Sequence, residues 1–132
     1  MPKTFPALLL ALLLCLAAVS CAGEKLPPLE GEPAELAEEF FQCLVKGNYS
    51  ECTDYFSKKM KQAMSARKLE QVWNDLQGQV GSYVKVTDMR EDHIDGYDVI
   101  FVTTEFEEDL INIRIVFDED RRVAGLWFEP VH

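Results

Sequence analysis

The sequence predicts an α+β fold, with three N-terminal helices packed on one face of a curved four-stranded antiparallel sheet. Three observations predict it. Apolar residues recur at helical spacing through residues 34–76, strand alternation fills the last third of the chain, and short acidic or Gly-containing turns separate the strands. A run of helices followed by a run of strands indicates helices covering one side of a sheet. Of the 132 residues, those from Ala34 onward suffice for one hydrophobic core and not for two.

Residues 1–21 read as an export signal. Lys3 precedes an apolar run from Ala7 to Val19, followed by the small residues Ser20-Cys21-Ala22-Gly23. That run is too short for a hydrocarbon core of roughly 30 Å, which takes about 20 residues, but it suits the centre of a signal peptide. Leu and Ala occupy every face, which argues against a buried helix. Ala18-Val19-Ser20-Cys21 resembles a bacterial lipobox, in which the cysteine is lipidated and becomes the new N-terminus, although such motifs usually carry Leu where this chain has Ala18. Two outcomes stand: a lipid on Cys21 that anchors the protein to the membrane, or simple secretion after Ser20 or Ala22. A multi-chain lipid would hold the chain firmly, at about 0.8 kcal/mol per buried methylene. Residues 22–33, with Pro27, Pro28, Pro33 and two glycines, read as an extended linker.

Residues 34–132 form the expected single domain. Leu36, Phe40, Cys43 and Leu44 lie on one helical face, with Glu35, Glu38 and Glu39 on the other and Lys46-Gly47 as the stop. Asn48 and Glu51 form an Asn-x-x-Glu start for a short second helix carrying Tyr49, Cys52 and Phe56. A third helix occupies Ser57 to Leu76, with a break near Ser65 and an end at Gln77-Gly78.

The first strand runs from about Tyr83 to Glu91, and Asp95-Gly96 is a tight-turn dipeptide. Tyr97 to Thr104 follows, its two alternating sets both rich in apolar residues. Ile111, Ile113, Ile115 and Phe117 make the cleanest alternation and are expected to face the core. Pairing parity across Asp118-Glu119-Asp120-Arg121 then sets Ala124, Leu126 and Phe128 beside them. Trp127 falls on the other face with Val123 and Gly125. The expected interior contains Phe40, Leu44, Phe56, Trp73, Phe101, Ile113 and Ile115.

The stretches FFQCLVKGNYSECTDYF, DGYDVIFVTTEFE and IRIVFDEDRRVAGLWFEP, within residues 34–131, resemble domain-of-unknown-function family 3887 of the nuclear-transport-factor-two-like, or cystatin-like, superfamily. The Gly47-Asn48-Tyr49 junction and the Phe117 to Phe128 hairpin carry the likeness most specifically. Relatives often have Asp-Gly at the hairpin turn, where this chain has Asp120-Arg121. The resemblance implies a cone of curved sheet wrapped around helices, commonly dimeric through the outer face of the sheet. It implies a family found in secreted bacterial lipoproteins and ahead of serine-hydrolase domains, and it brings no catalytic residue.

In an oxidising compartment Cys43 and Cys52, on the apolar faces of successive helices, are candidates for a disulfide. The other reading is two small core residues that never meet. The net charge is −10 and becomes more negative without residues 1–21, which carry Lys3 and no acid. Such a field disfavours nucleic acid as a partner. A local exception is Lys58, Lys59, Lys61, Arg67 and Lys68, read as a solvated helix face.

No Gly-x-Ser-x-Gly, phosphate-binding glycine loop or His-Glu-x-x-His occurs. His93 and His132 are not placed like buried bases, and the acidic runs lack the spacing of a calcium loop. No catalytic residue, metal site or cofactor is therefore expected. The sequence points to a non-catalytic extracytoplasmic binding or scaffold module. It is anchored at the membrane or secreted, and it makes a homodimer or protein contacts through Ile100, Val102, Phe106, Arg114 and Trp127. The competing expectation is a small-molecule or isomerase-like pocket inside the cone, built from Asp54, Trp73 and Tyr83.

Overall fold

The computed structural model describes residues 26–131; the expected signal and the Cys21 lipidation site lie outside them. Among the described residues four helices precede the sheet, the expected third being divided at its expected break near Ser65: α1 (Pro33–Lys46), α2 (Tyr49–Thr53), α3 (Lys58–Ala63) and α4 (Ala66–Val80). The extra helix comes from two serines. Ser57 Oγ accepts from the Met60 N–H at 3.1 Å and Ser65 Oγ from the Lys68 N–H at 3.2 Å, so each starts its own helix. Met64 between them is extended, which breaks the expected third helix in two.

The start and stop of α1 follow from Pro33 in its first turn and Gly47 just past its end. Gly47 takes a φ of 79°. It donates to Leu44 O while Asn48 donates to Cys43 O, the paired closure that a left-handed residue permits. Asn48 is the N-cap of α2, where the Asn-x-x-Glu start was expected, but its side chain makes no capping hydrogen bond. At the end of α4, Gly81 has a φ of 86°, and a Cβ there would lie 2.6 Å from Glu107 Cβ. Glycine is needed for both reasons, because the turn at residues 107–109 closes against it through Glu107 N to Ser82 O and Glu108 N to Val80 O.

The sheet is an antiparallel meander in the order β1 (Tyr83–Ile94), β2 (Tyr97–Phe106), β3 (Leu110–Phe117) and β4 (Val123–Pro130). Ile100, Val102 and Thr104 of β2 stand beside Ile115, Ile113 and Ile111 of β3, and Leu126 and Phe128 of β4 stand beside Ile115 and Ile113. Directly paired residues share a face. This inner face packs on Leu36, Phe40, Phe41 and Leu44 of α1, with Cys52, Phe56, Met60, Leu69 and Trp73 completing the core. The expected inward row of β3 is buried throughout.

A bulge in β4 adjusts the expected parity at one point. Phe117 pairs with Val123 and Val116 with Gly125, so Ala124 is the extra residue. Val123 is buried and Ala124 exposed, the reverse of the expected pair. The five-residue connection 118–122 would by itself have flipped the rest of β4, and the bulge restores Leu126 and Phe128 to the core.

The expected linker is, over its described part, a docked strap. Leu29 donates to Asp120 O at 2.9 Å, Arg122 Nε to Pro27 O at 2.8 Å, and Arg121 to Gly31 O. Arg122 is 7 % exposed, and its Nη1 also donates to Asp54 O and Phe56 O. One guanidinium thus joins the strap, the end of α2 and the β3–β4 turn, because its several fixed N–H donors can serve several carbonyls at once.

Candidate binding surface

The outer face of the sheet carries two stacked arginine–aromatic pairs. Arg90 of β1 lies 4.3 Å from the centre of the Phe101 ring, its cross-strand partner, and Arg114 of β3 lies 4.4 Å from the Trp127 ring, likewise its partner. Glu129 Oε1 approaches Arg114 Nε at 3.2 Å without hydrogen-bond alignment. Gly125 explains how the indole lies so low. A Cβ at that position would sit 2.4 Å from Trp127 Cζ3, so the ring occupies the space a side chain would take. Trp127 remains 46 % exposed. Beside it, Ile94, Tyr97, Val99, Val116 and Ala124 line a shallow depression of about 310 Å³.

Of the five residues expected on this face, Arg114 and Trp127 are there. Ile100, Val102 and Phe106 are not: they are buried among the helices, because Ile100 and Val102 pair with Ile115 and Ile113 and take their side. Phe101, expected inside, lies outside under Arg90. Val99 is 2 % exposed yet takes no part in the helical core, which places a further apolar residue on the outer side.

The alternative pocket trio is not assembled. Trp73 is buried, ringed by Phe41, Tyr83, Phe106 and Phe128 at centroid distances of 5.6 to 6.3 Å. Tyr83 packs edge-on against Phe41 and Phe106. Asp54 is exposed at the end of α2, in a surface hollow shared with Leu29, Glu51 and Tyr55. Aromatic rings fill the interior where the polar cavity was envisaged.

Cys43 and Cys52 are free thiols. Burial pushes the Cys52 thiol up to about 12, with neighbouring Cys43 adding to the rise. Burial and the Glu51 carboxylate, whose Oε2 is 3.7 Å from Cys43 Sγ, raise Cys43 as well. Both sulfurs are therefore held protonated at neutral pH, the form that attacks disulfides poorly.

The sequence reading missed one cluster. His93 lies within β1 rather than in a loop, and its Nδ1 meets Asp98 Oδ1 at 2.6 Å across the β1–β2 pair. With Glu91, their ligand atoms fall within 4.8 Å of one another. The signal was present as Glu91-x-His93 on one strand face and Asp98 opposite through the Asp95-Gly96 turn. Carboxylate and imidazole donors suit a divalent cation, but Glu91 and His93 are solvent-exposed and His93 and Asp98 satisfy each other. The basic residues Lys58 and Lys59 border a cleft of about 630 Å³ with Leu26, Asp118, Asp120 and Arg122. Among the described residues no helix is long and apolar enough to cross a membrane.

A family model described as "Protein of unknown function (DUF3887)" matches residues 37–126. A curated relative, the esterase EstD of Thermotoga maritima, is 24 % identical over 90 residues, which are 68 % of this chain and 22 % of that enzyme. The chain thus spans about a fifth of the length of that relative. No solved structure matches it.

Proposed function

The chain belongs to the DUF3887 family, and from its own surfaces we propose a non-catalytic binding module that works outside the cytoplasm. The reading includes a lipid anchor on Cys21, with secretion as the alternative, and contact with a protein partner through the outer side of the sheet around Trp127. The observation that carries it is the Arg114–Trp127 stack seated on Gly125. A large aromatic held in one position beside an arginine loses little freedom on binding, and such residues supply a large share of interface energy. A sheet curved around a filled core, the cone implied by the resemblance, leaves the outer side as the larger apolar opportunity.

The likeness to an esterase is partial. It extends to 22 % of that enzyme, and Gly-x-Ser-x-Gly, the setting of an activated serine in such hydrolases, is absent from this sequence. A binding module fits the missing serine motif better than a serine hydrolase does. The pocket reading draws nothing from Trp73 and Tyr83, which are spent on packing. Photo-crosslinking from position 116 in producing cells tests the proposal. A discrete adduct that Trp127→Ala and Arg114→Ala each abolish is expected; an adduct indifferent to both substitutions, or turnover of a simple ester by the purified chain, overturns it.

A further inference from the structure

The two edges of the sheet are built differently. β1 carries register shifts at Tyr83/Lys85 and Val86/Asp88, and Lys85, Asp88, Arg90, Glu91 and Asp92 stud it with charge. Bulges and charges are the usual protection of a strand that must not pair again. β4 has neither along Leu126-Trp127-Phe128.

The hydrogen-bonding phase of β4 follows from one bond. Val131 N donates to Leu110 O. With Asn112 opposite Glu129 and Arg114 opposite Trp127, the residues bonded to β3 are therefore Gly125, Trp127 and Glu129. Leu126 and Phe128 turn their N–H and C=O groups away from the sheet. Earlier on the same edge, Val123 is already covered, donating to Tyr55 O and accepting from Ser57 N. Pro130, with no N–H, limits the other end. What remains is a short open window centred on Trp127. Behind it Met64, Val72, Leu76, Leu126 and Phe128, together with Asp75 and Gln79, border a groove of about 360 Å³.

We infer that this edge takes a second copy of the chain, β4 against β4 in antiparallel order, with the two-fold axis at Trp127. The inference deepens the binding-module reading and rests on it. A window closed at both ends and centred on one residue matches itself in a single register. Leu126 of one copy exchanges N–H···O bonds with Phe128 of the other, and the reverse, while the two Trp127 residues meet as a close, non-bonded pair. Each copy's Phe128 comes alongside the other's Leu126 at the groove. Glu129 of one copy is carried opposite Gly125 of the other, on the side where Arg114 stacks. The overall charge of −10 opposes association, so added salt strengthens it.

Sedimentation equilibrium over a wide concentration range, with Phe128→Pro beside the unaltered chain, tests this. Proline at position 128 deletes an N–H that β3 does not use and leaves the internal ladder whole. The unaltered chain is expected to dimerise, more tightly in high salt, and Phe128→Pro to dimerise at least tenfold more weakly. A dimer unmoved by the substitution overturns the edge. Amide exchange of the unaltered chain decides the matter if the variant misfolds. The Leu126 and Phe128 amides should slow as concentration rises, whereas Trp127 and Glu129 are slow even when dilute. Fast exchange at Leu126 and Phe128 at every concentration overturns the second copy. If such a monomer still forms the Trp127-dependent adduct in cells, the binding-module reading survives without it.

Discussion

The two faces of the same sheet put similar residues to different uses. On the inner face Ile100, Val102, Ile113, Ile115 and Phe117 are buried against helices, and their value is the area they remove from water. On the outer face Phe101 and Trp127 are covered by arginines instead of by another layer. An arginine stem shields apolar surface while its head stays wet, so this face is soluble in isolation and still able to give up its cover to a partner. Apolar content alone thus does not separate core from contact surface; what covers it does.

The sharpest break of that contrast is a truncation inside. Ile113→Ala, at a fully buried site, is expected to cost about 3 to 4 kcal/mol, read as a lower urea midpoint. Next comes the strap. Arg122→Ala leaves the carbonyls of Pro27, Asp54 and Phe56 without their donor and should cost about 2 to 3 kcal/mol, with early proteolysis within residues 26–32.

Alkaline pH probes the inner side more gently. Because the folded Cys52 thiol titrates at about 12 instead of its ordinary 9.0, the fold favours its protonated form. That contribution is complete below about pH 9 and is lost as pH rises toward 12. Tyr55, raised to about 12 by burial and by Glu39, acts in the same direction. Urea midpoints should fall over this window, and fall less in Cys52→Ala.

The smallest stability effect belongs outside. Gly125→Ala places a methyl group where the Trp127 ring lies; it should displace the indole and change the near-ultraviolet dichroism for about 1 kcal/mol of stability. An unchanged spectrum would show that the indole does not rest there.

The legible parts of this fold were those with one polar and one apolar phase. Ile111 to Phe117 alternates cleanly against Asn112 and Arg114, and its inward row could be read directly. β2 offered no such contrast: Val99 and Phe101 compete with Ile100 and Val102, so its phase depended on the length of the turn to β3. Phe106 N bonds back to Asp109 O, and Glu105 pairs with Leu110, a register no composition reveals. A one-residue change there exchanges the faces, and Ile100, Val102 and Phe106 were accordingly expected on the wrong side. The Ala124 bulge and the docking of the strap by Arg121 and Arg122 were hidden for a related reason. Both depend on residues that look like ordinary turn charges until distant chain segments meet them. Arg114 was found because it alternates with the legible β3 row, whereas Trp127 fell on the expected side because the five-residue connection and the Ala124 bulge cancel in parity.

Hydroxyl-radical footprinting of the two tryptophans, in dilute purified protein and again in intact producing cells, tests the central claim that the side bearing Trp127 is where this chain meets another. Trp127 should be oxidised when dilute and protected in cells, with Trp73 silent in both. Equal oxidation of Trp127 in the two settings, or a reactive Trp73 in either, would contradict it.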